Sequence, residues 1–167
     1  MDWSRWFRHT FATGSGVRRA FPPEALGRIE AAVAACEALH SGEVRVAIEG
    51  ALEPIEVARG KTPRARALEV FAALGVWDTD ANNGVLVYVL LADRDVEIVA
   101  DRGFNGRVSA AQWAAVCEDM QREFRADRYA DGVIAGVEDV GRIIGTHYPQ
   151  RPGQRDVDEL PNRPAVL

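Results

Sequence analysis

The hydrophobic positions along this chain change period several times, and each change marks an element. Leu26, Ile29, Val33 and Cys36 recur at helical spacing and predict a helix over residues 23–40. Pro22-Pro23 suits its first turn, and Gly42, after His40-Ser41, can adopt the left-handed cap that ends it. From Glu43 to Glu49 the period falls to two, with Val44, Val46 and Ile48 on one face. Glu43, Arg45, Ala47 and Glu49 lie on the other, which predicts a half-buried strand. Leu68, Phe71 and Leu74 restore helical spacing over residues 64–75. A polar loop, 76–84, then delivers the chain into Val85-Leu86-Val87-Tyr88-Val89-Leu90-Leu91, apolar on both faces and so expected at the centre of a sheet. A polar turn at 92–95 and an alternating segment at 96–101 form the returning arm of a hairpin. Ser109 and Gln112 make a capping box for a helix over 109–126, striped by Trp113, Val116, Cys117, Met120 and Phe124. A last helix, 129–147, carries Val133, Val137, Val140 and Ile144.

The order helix, strand, helix, strand, strand, helix, helix constrains the architecture. A strand–helix–strand crossover implies a parallel, right-handed pair, and the hairpin adds an antiparallel neighbour. The expected fold class is α/β, a single three-layer αβα sandwich with a small mixed β-sheet flanked by helices, spanning residues 22–148. Residues 1–21 form a separate amino-terminal segment with a hinge at Thr13-Gly14-Ser15-Gly16. Residues 149–167 hold four of the eight prolines and read as an extended tail.

Composition narrows the function classes. The chain has 167 residues, 47% apolar and 27% charged, with a net charge of −5, which is globular and argues against a dedicated nucleic-acid binder. Residues 1–20 run against this balance, with Arg5, Arg8, Arg18 and Arg19 facing one acid, Asp2. Cys36 and Cys117 fall inside helical patterns without metal-ligand spacing and read as small buried hydrophobes. No apolar run reaches the roughly 18–20 residues that span a bilayer, and the first residues contain no secretory h-region. The expected location is cytoplasmic.

Two places concentrate candidate chemistry. In residues 1–11, Trp3, Trp6, Phe7 and Phe11 stand at helical spacing with Arg5 and Arg8 between them. Such a helix either lies on an anionic membrane surface or packs on its own domain or a partner chain. The second place is a rim. The inferred topology brings the starts of the first two strands and the end of the third together, with Glu43, Asp78, Asp80, Asn82, Asn83 and Asp101 as hard oxygen donors suited to Ca²⁺ or Mg²⁺. Asp78-x-Asp80-x-Asn82 matches the opening of an EF-hand loop, but Asn83 replaces the required glycine and Val89 the bidentate glutamate, so this is no EF-hand. The competing reading is a turn whose Asp and Asn side chains bond their own backbone. No catalytic residue can be assigned: Cys117 and Arg122 lack the phosphatase spacing, the three histidines lie in unrelated segments, and no GxGxxG is present, so no organic cofactor is expected.

Ser41-Gly42-Glu43-Val44-Arg45-Val46, Asn83-Gly84-Val85-Leu86-Val87-Tyr88-Val89 and Ala92-Asp93-Arg94-Asp95-Val96-Glu97-Ile98 resemble the TPM domain family. Phe124 with Asp127-Arg128-Tyr129-Ala130-Asp131-Gly132-Val133 resembles its helix junction. The resemblance covers about residues 23–147. The layout is similar to a short bacterial subgroup without signal or membrane anchor, which tends to accompany LemA-type proteins. The resemblance implies an αβα sandwich, calcium near the loop before the Asn-Gly strand in some members, and acid phosphatase activity in chloroplast members. It places metal ligands in the loop 78–83 with Asp101 or Glu43 close by. Asp101-Arg102-Gly103 departs from the glycine–aromatic–glycine common after the third strand.

Two function classes follow. One is a non-catalytic interaction module at the cytoplasmic membrane face, peripheral on the inner membrane. There Trp3, Arg5, Trp6, Phe7, Arg8 and Phe11 meet lipid or a membrane protein, and the rim holds an ion. The alternative is a metal-dependent, acid-phosphatase-like hydrolase, in which Asp78, Asp80 and Asp101 hold the metal and Arg102 or Arg94 neutralises phosphate charge.

Overall fold

The computed structural model describes residues 2–12, 14–150 and 159–167. The elements run α1 (Trp3–Phe11), α2 (Gly14–Ala20), α3 (Pro23–Glu37), β1 (Glu43–Glu49), α4 (Pro54–Ala58), α5 (Pro63–Ala73), β2 (Gly84–Leu90), β3 (Asp95–Ala100), α6 (Ala110–Arg125), α7 (Tyr129–His147) and β4 (Ala165–Val166). Short 3₁₀ turns at Leu91–Asp93 and Arg102–Phe104 bracket β3.

The sheet order is β3-β2-β1-β4, with β1 parallel to β2 and β4 and β2 antiparallel to β3. Alternation along the strands splits the core into two. Val44, Val46, Ile48, Val85, Val87 and Val89 pack under α3, α6 and α7 with Ile29, Val33, Met120, Phe124, Val137 and Ile144. On the other face Ala47, Leu86, Tyr88 and Leu90 meet Leu52, Val57, Ala67, Val70 and Leu160. The αβα sandwich expected from the sequence is therefore the observed architecture.

Four local expectations differ. The strand β1 is buried at all seven positions rather than on one face. Its charged residues are covered by α5 and by residues 159–167, elements far from it in sequence. The hinge is instead the helix α2, with Thr13 outside the described residues. The tail folds back at 159–167, while 151–158 lie outside the described residues. Finally, Gly42 carries no left-handed backbone. It is glycine because a Cβ there would sit 2.5 Å from Ile144 Cγ2 and 3.2 Å from the Asn83 carbonyl.

Candidate functional site

The rim forms as the topology requires. Glu43 pairs with Gly84 in parallel register and Val85 with Ala100 in antiparallel register, so the starts of β1 and β2 and the end of β3 share one end of the sheet. Main-chain bonds lock them: the Asp101 N–H donates to the Gly84 carbonyl at 2.9 Å, and the Gly103 N–H to the Asn82 carbonyl at 2.9 Å. Gly84 is glycine by necessity, since a Cβ there would collide with the Val76 carbonyl. Asn82 takes the left-handed conformation (φ 52°) that asparagine tolerates.

The six oxygen donors are differently committed. Glu43 is buried and its Oε2 accepts the Leu160 N–H at 3.2 Å. The Asn82 side-chain oxygen accepts Arg102 Nε–H at 2.7 Å, which sets a guanidinium into the rim. Asn83 is buried; its N–H donates to Thr79 Oγ1 at 3.1 Å and its side-chain amide donates to the Ser41 carbonyl. Asp101 Oδ1 accepts the Arg102 N–H at 2.7 Å. Asp78 and Asp80 are exposed, and the Asp80 N–H donates to the Glu159 carboxylate at 3.0 Å. Two buried oxygens, Asn83 Oδ1 and Asp101 Oδ2, have no hydrogen-bond partner among the described residues. No three His, Cys, Asp or Glu side chains among the described residues gather as a metal site. Glu159, which sequence spacing gave no reason to include, is the acidic residue that meets this loop.

Arg94 does not belong to the rim. It sits in the β2–β3 turn at the opposite end of the sheet, next to Asp95, which lies five residue steps or about 17 Å along β3 from Ala100. There its guanidinium pairs with Asp127 at 3.0 Å. A phosphate at the rim is therefore left with Arg102 alone of the two candidate arginines.

The same turn holds the amino-terminal helix. Asp2 caps α1 by accepting the Arg5 N–H at 3.1 Å, and this bond draws the Asp2 pKa below the usual carboxylate range. Three side chains of α1 converge on Asp93. Arg5 Nε donates at 2.8 Å, Arg8 Nη2 lies at 3.4 Å, and His9 Nε2 lies at 3.1 Å. His9 is buried and its Nδ1 accepts the Leu52 N–H at 2.9 Å, so the ring proton sits on Nε2, facing the carboxylate. Burial pushes the Asp93 pKa up, but the hydrogen bond from Arg5, the close approach of the His9 ring N–H and the Arg5 charge outweigh it and hold the carboxyl below its ordinary value. Asp93-Arg94-Asp95, expected only as part of a polar turn, is thus an anchor at its first residue.

This docking sorts the six expected contact residues of α1. Arg5 is turned inward, with its side chain 17% exposed, and Trp6 packs on the second core. Trp3, Phe7 and Phe11 remain 62%, 50% and 74% exposed. They follow one another at four-residue spacing on one stripe, with Phe7 and Phe11 stacked at 6.2 Å.

Cys36 and His40 form the only Cys–His pair in hydrogen-bond contact among the described residues, Sγ to Nε2 at 3.2 Å. It is not an activated nucleophile. The His40 Nδ1 accepts the Gly42 N–H at 3.3 Å, leaving the proton on Nε2, and burial pushes the Cys36 thiol up to about 11. Burial likewise pushes Cys117 up to about 12.

Comparison with known proteins is consistent with this geometry. The family model described as the TPM domain matches residues 12–143. Among solved structures, the chain is similar to the BA42 protein of the psychrophilic bacterium Bizionia argentinensis, at 30% identity and TM-score 0.75 over 86% of this chain and 93% of that one. An amino-terminal domain from P. gingivalis shares 19% identity at TM-score 0.60, covering 78% of this chain and 83% of its own. The amino-terminal domain of the cg2496 protein of Corynebacterium glutamicum shares 14% at TM-score 0.56, covering 81% of each. The last two likenesses bear on the fold alone. No curated protein matches the sequence.

Proposed function

Because this chain belongs to the TPM domain family, whose fold alone assigns no reaction, we propose that it is a non-catalytic interaction module that docks on anionic lipid through α1. The observation that carries this reading is the exposed stripe of Trp3, Phe7 and Phe11 on a helix whose opposite side is tied to the domain by Asp93. Three adjacent exposed aromatic rings suit the headgroup boundary, where apolar rings leave water and the Trp3 indole N–H keeps a polar partner. Arg8 is half exposed, and Arg18 and Arg19 of α2 are exposed, which supplies the cationic side. No helix among the described residues is long and apolar enough to cross a membrane, so the attachment proposed is peripheral.

Vesicle flotation tests it with the full chain. Vesicles containing phosphatidylglycerol should carry the protein, and those of phosphatidylcholine alone should carry much less. Replacing Trp3, Phe7 and Phe11 together by serine should weaken binding at least about tenfold, since each ring contributes on the order of 1–2 kcal/mol when buried. Equal, weak binding by wild type and triple variant sinks the proposal.

A divalent cation at the rim is the second reading, favoured by the orphaned Asp101 Oδ2 and Asn83 Oδ1. Asp101, with Asp78 and Asp80 on the adjoining loop, would supply protein oxygens, and water would complete the shell. Such a sparse set implies a dissociation constant for Ca²⁺ on the order of 0.1–1 mM. Amide shifts at 78–84 and 101–103 on Ca²⁺ titration, abolished in Asp101→Asn, are the expected result. An unchanged spectrum at 10-fold higher ion would eliminate it.

A further inference from the structure

Sheet edges leave main-chain donors and acceptors unpaired, and this sheet closes its two edges differently. At β3 a side chain does it: Arg64 Nη1 donates to the Ile98 carbonyl at 2.5 Å. At β1 the chain's own carboxyl-terminal segment does it. Ala165 and Val166 pair in parallel with Ala47 and Ile48, and the Leu167 N–H donates to the Ile48 carbonyl at 2.9 Å.

The residues that hold this segment are unusual for a strand interior. Glu43 and Arg45 are both buried, 2% and 8% exposed. Each bonds main-chain groups of this segment. Glu43 Oε2 accepts the Leu160 N–H, while Arg45 Nη1 donates to the Pro161 carbonyl at 2.6 Å and to the Arg163 carbonyl. Among the described residues Arg45 makes no ion pair. An apolar anchor adds to the contact: Leu160 is buried against the cluster of Ala47, Leu52 and Leu86. Buried charges reading main-chain groups, a pocket for one side chain and parallel strand addition together make the recognition pattern of an extended-peptide site.

We infer that the β1 edge is a peptide-binding site of the strand-addition kind, whose ligand is the chain's own segment 159–167, held as a detachable strap. The ligand is part of the same chain, so it meets its site in an intramolecular step. A second extended segment enters only when the strap lets go. Release also frees the Asp80 N–H from Glu159, so the strap and the rim loop are linked. The inference uses no residue of α1 and stands apart from the lipid reading.

A cleavage site placed within 151–158 of the full-length protein, cut after folding, tests it. The expected result has three parts. The freed segment separates on gel filtration while circular dichroism keeps its folded, cooperative form. A synthetic peptide of residues 159–167 then rebinds saturably and shifts the amides of residues 43–49. A Leu160→Asp peptide does not bind, and Arg45→Met in the protein weakens the wild-type peptide at least about tenfold. The proposal is overturned if the nicked protein unfolds when the segment leaves. It is equally overturned if the segment never exchanges with labelled peptide, or if the vacated protein ignores wild-type peptide. The Leu160→Asp peptide leaves the protein untouched, so specificity is read even where Arg45→Met does not fold.

Discussion

Asp93 gathers Arg5, Arg8 and His9 from a helix some ninety positions upstream, and its side chain is only 9% exposed. Removing its charge leaves Arg5 and His9 facing a neutral group with little access to water. Asp93→Asn should cost about 2–3 kcal/mol, read as a lower urea midpoint. The Asp93 carboxyl is held below its unfolded value, so its contribution is complete above about pH 4 and is lost as pH falls through the depressed folded pKa. Acid should therefore loosen α1, followed by tryptophan fluorescence, and the difference between wild type and Asp93→Asn should vanish at the acid end. This contact explains why segment 1–11 reads ambiguously in sequence: apolar spacing reveals the helix, while its partner lies in a turn that looks solvated.

Between elements, the buried Glu49 of β1 ties α5 to β2. Arg66 Nε and Nη2 donate to its two oxygens at 2.9 and 3.0 Å, and the Tyr88 hydroxyl donates at 2.6 Å. Hydrogen bonding to Glu49 drives the Arg66 pKa further up, and burial then Glu49 raise that of Tyr88, so both of these partners stay protonated across neutral pH. Arg66→Met should cost about 3 kcal/mol by stranding a buried carboxylate, and Glu49→Gln added to it should recover part of the loss. A double-mutant unfolding cycle measures both. The same network shows the limit of pattern reading. Val44, Val46 and Ile48 announce β1 correctly, yet alternation assigns Glu43, Arg45 and Glu49 to solvent. Their partners are Leu160, Pro161, Arg163 and Arg66, and no local period encodes pairing over such separations. The short helix α4 and the two-residue β4 escape for the related reason that neither is long enough to show a period.

For the whole molecule, the large elements were legible because they bury regular stripes: β2 is apolar on both faces and is central, and the rim converges where a parallel crossover requires. What each rim side chain is bonded to was not legible, since Arg102, Leu160 and Ser41 reach it through tertiary structure. Packing also governs the chain's redox chemistry. Both cysteines are free, and burial raises Cys36 to about 11 and Cys117 to about 12. At pH 8 the native protein should react with an Ellman-type reagent about 100-fold more slowly than in 8 M urea, and fast native labelling would contradict the packing.

The Arg5–Asp93 contact spans 88 positions, and that separation has a cost in time. On a ribosome adding about 5–20 residues per second, α1 is complete roughly 4–16 s before its carboxylate partner has been made. During that interval Trp3, Trp6, Phe7 and Phe11 have no domain to rest on. The nascent chain thus presents its stickiest helix first and longest, to chaperones and to any nearby bilayer, before the hairpin arrives to claim half of it.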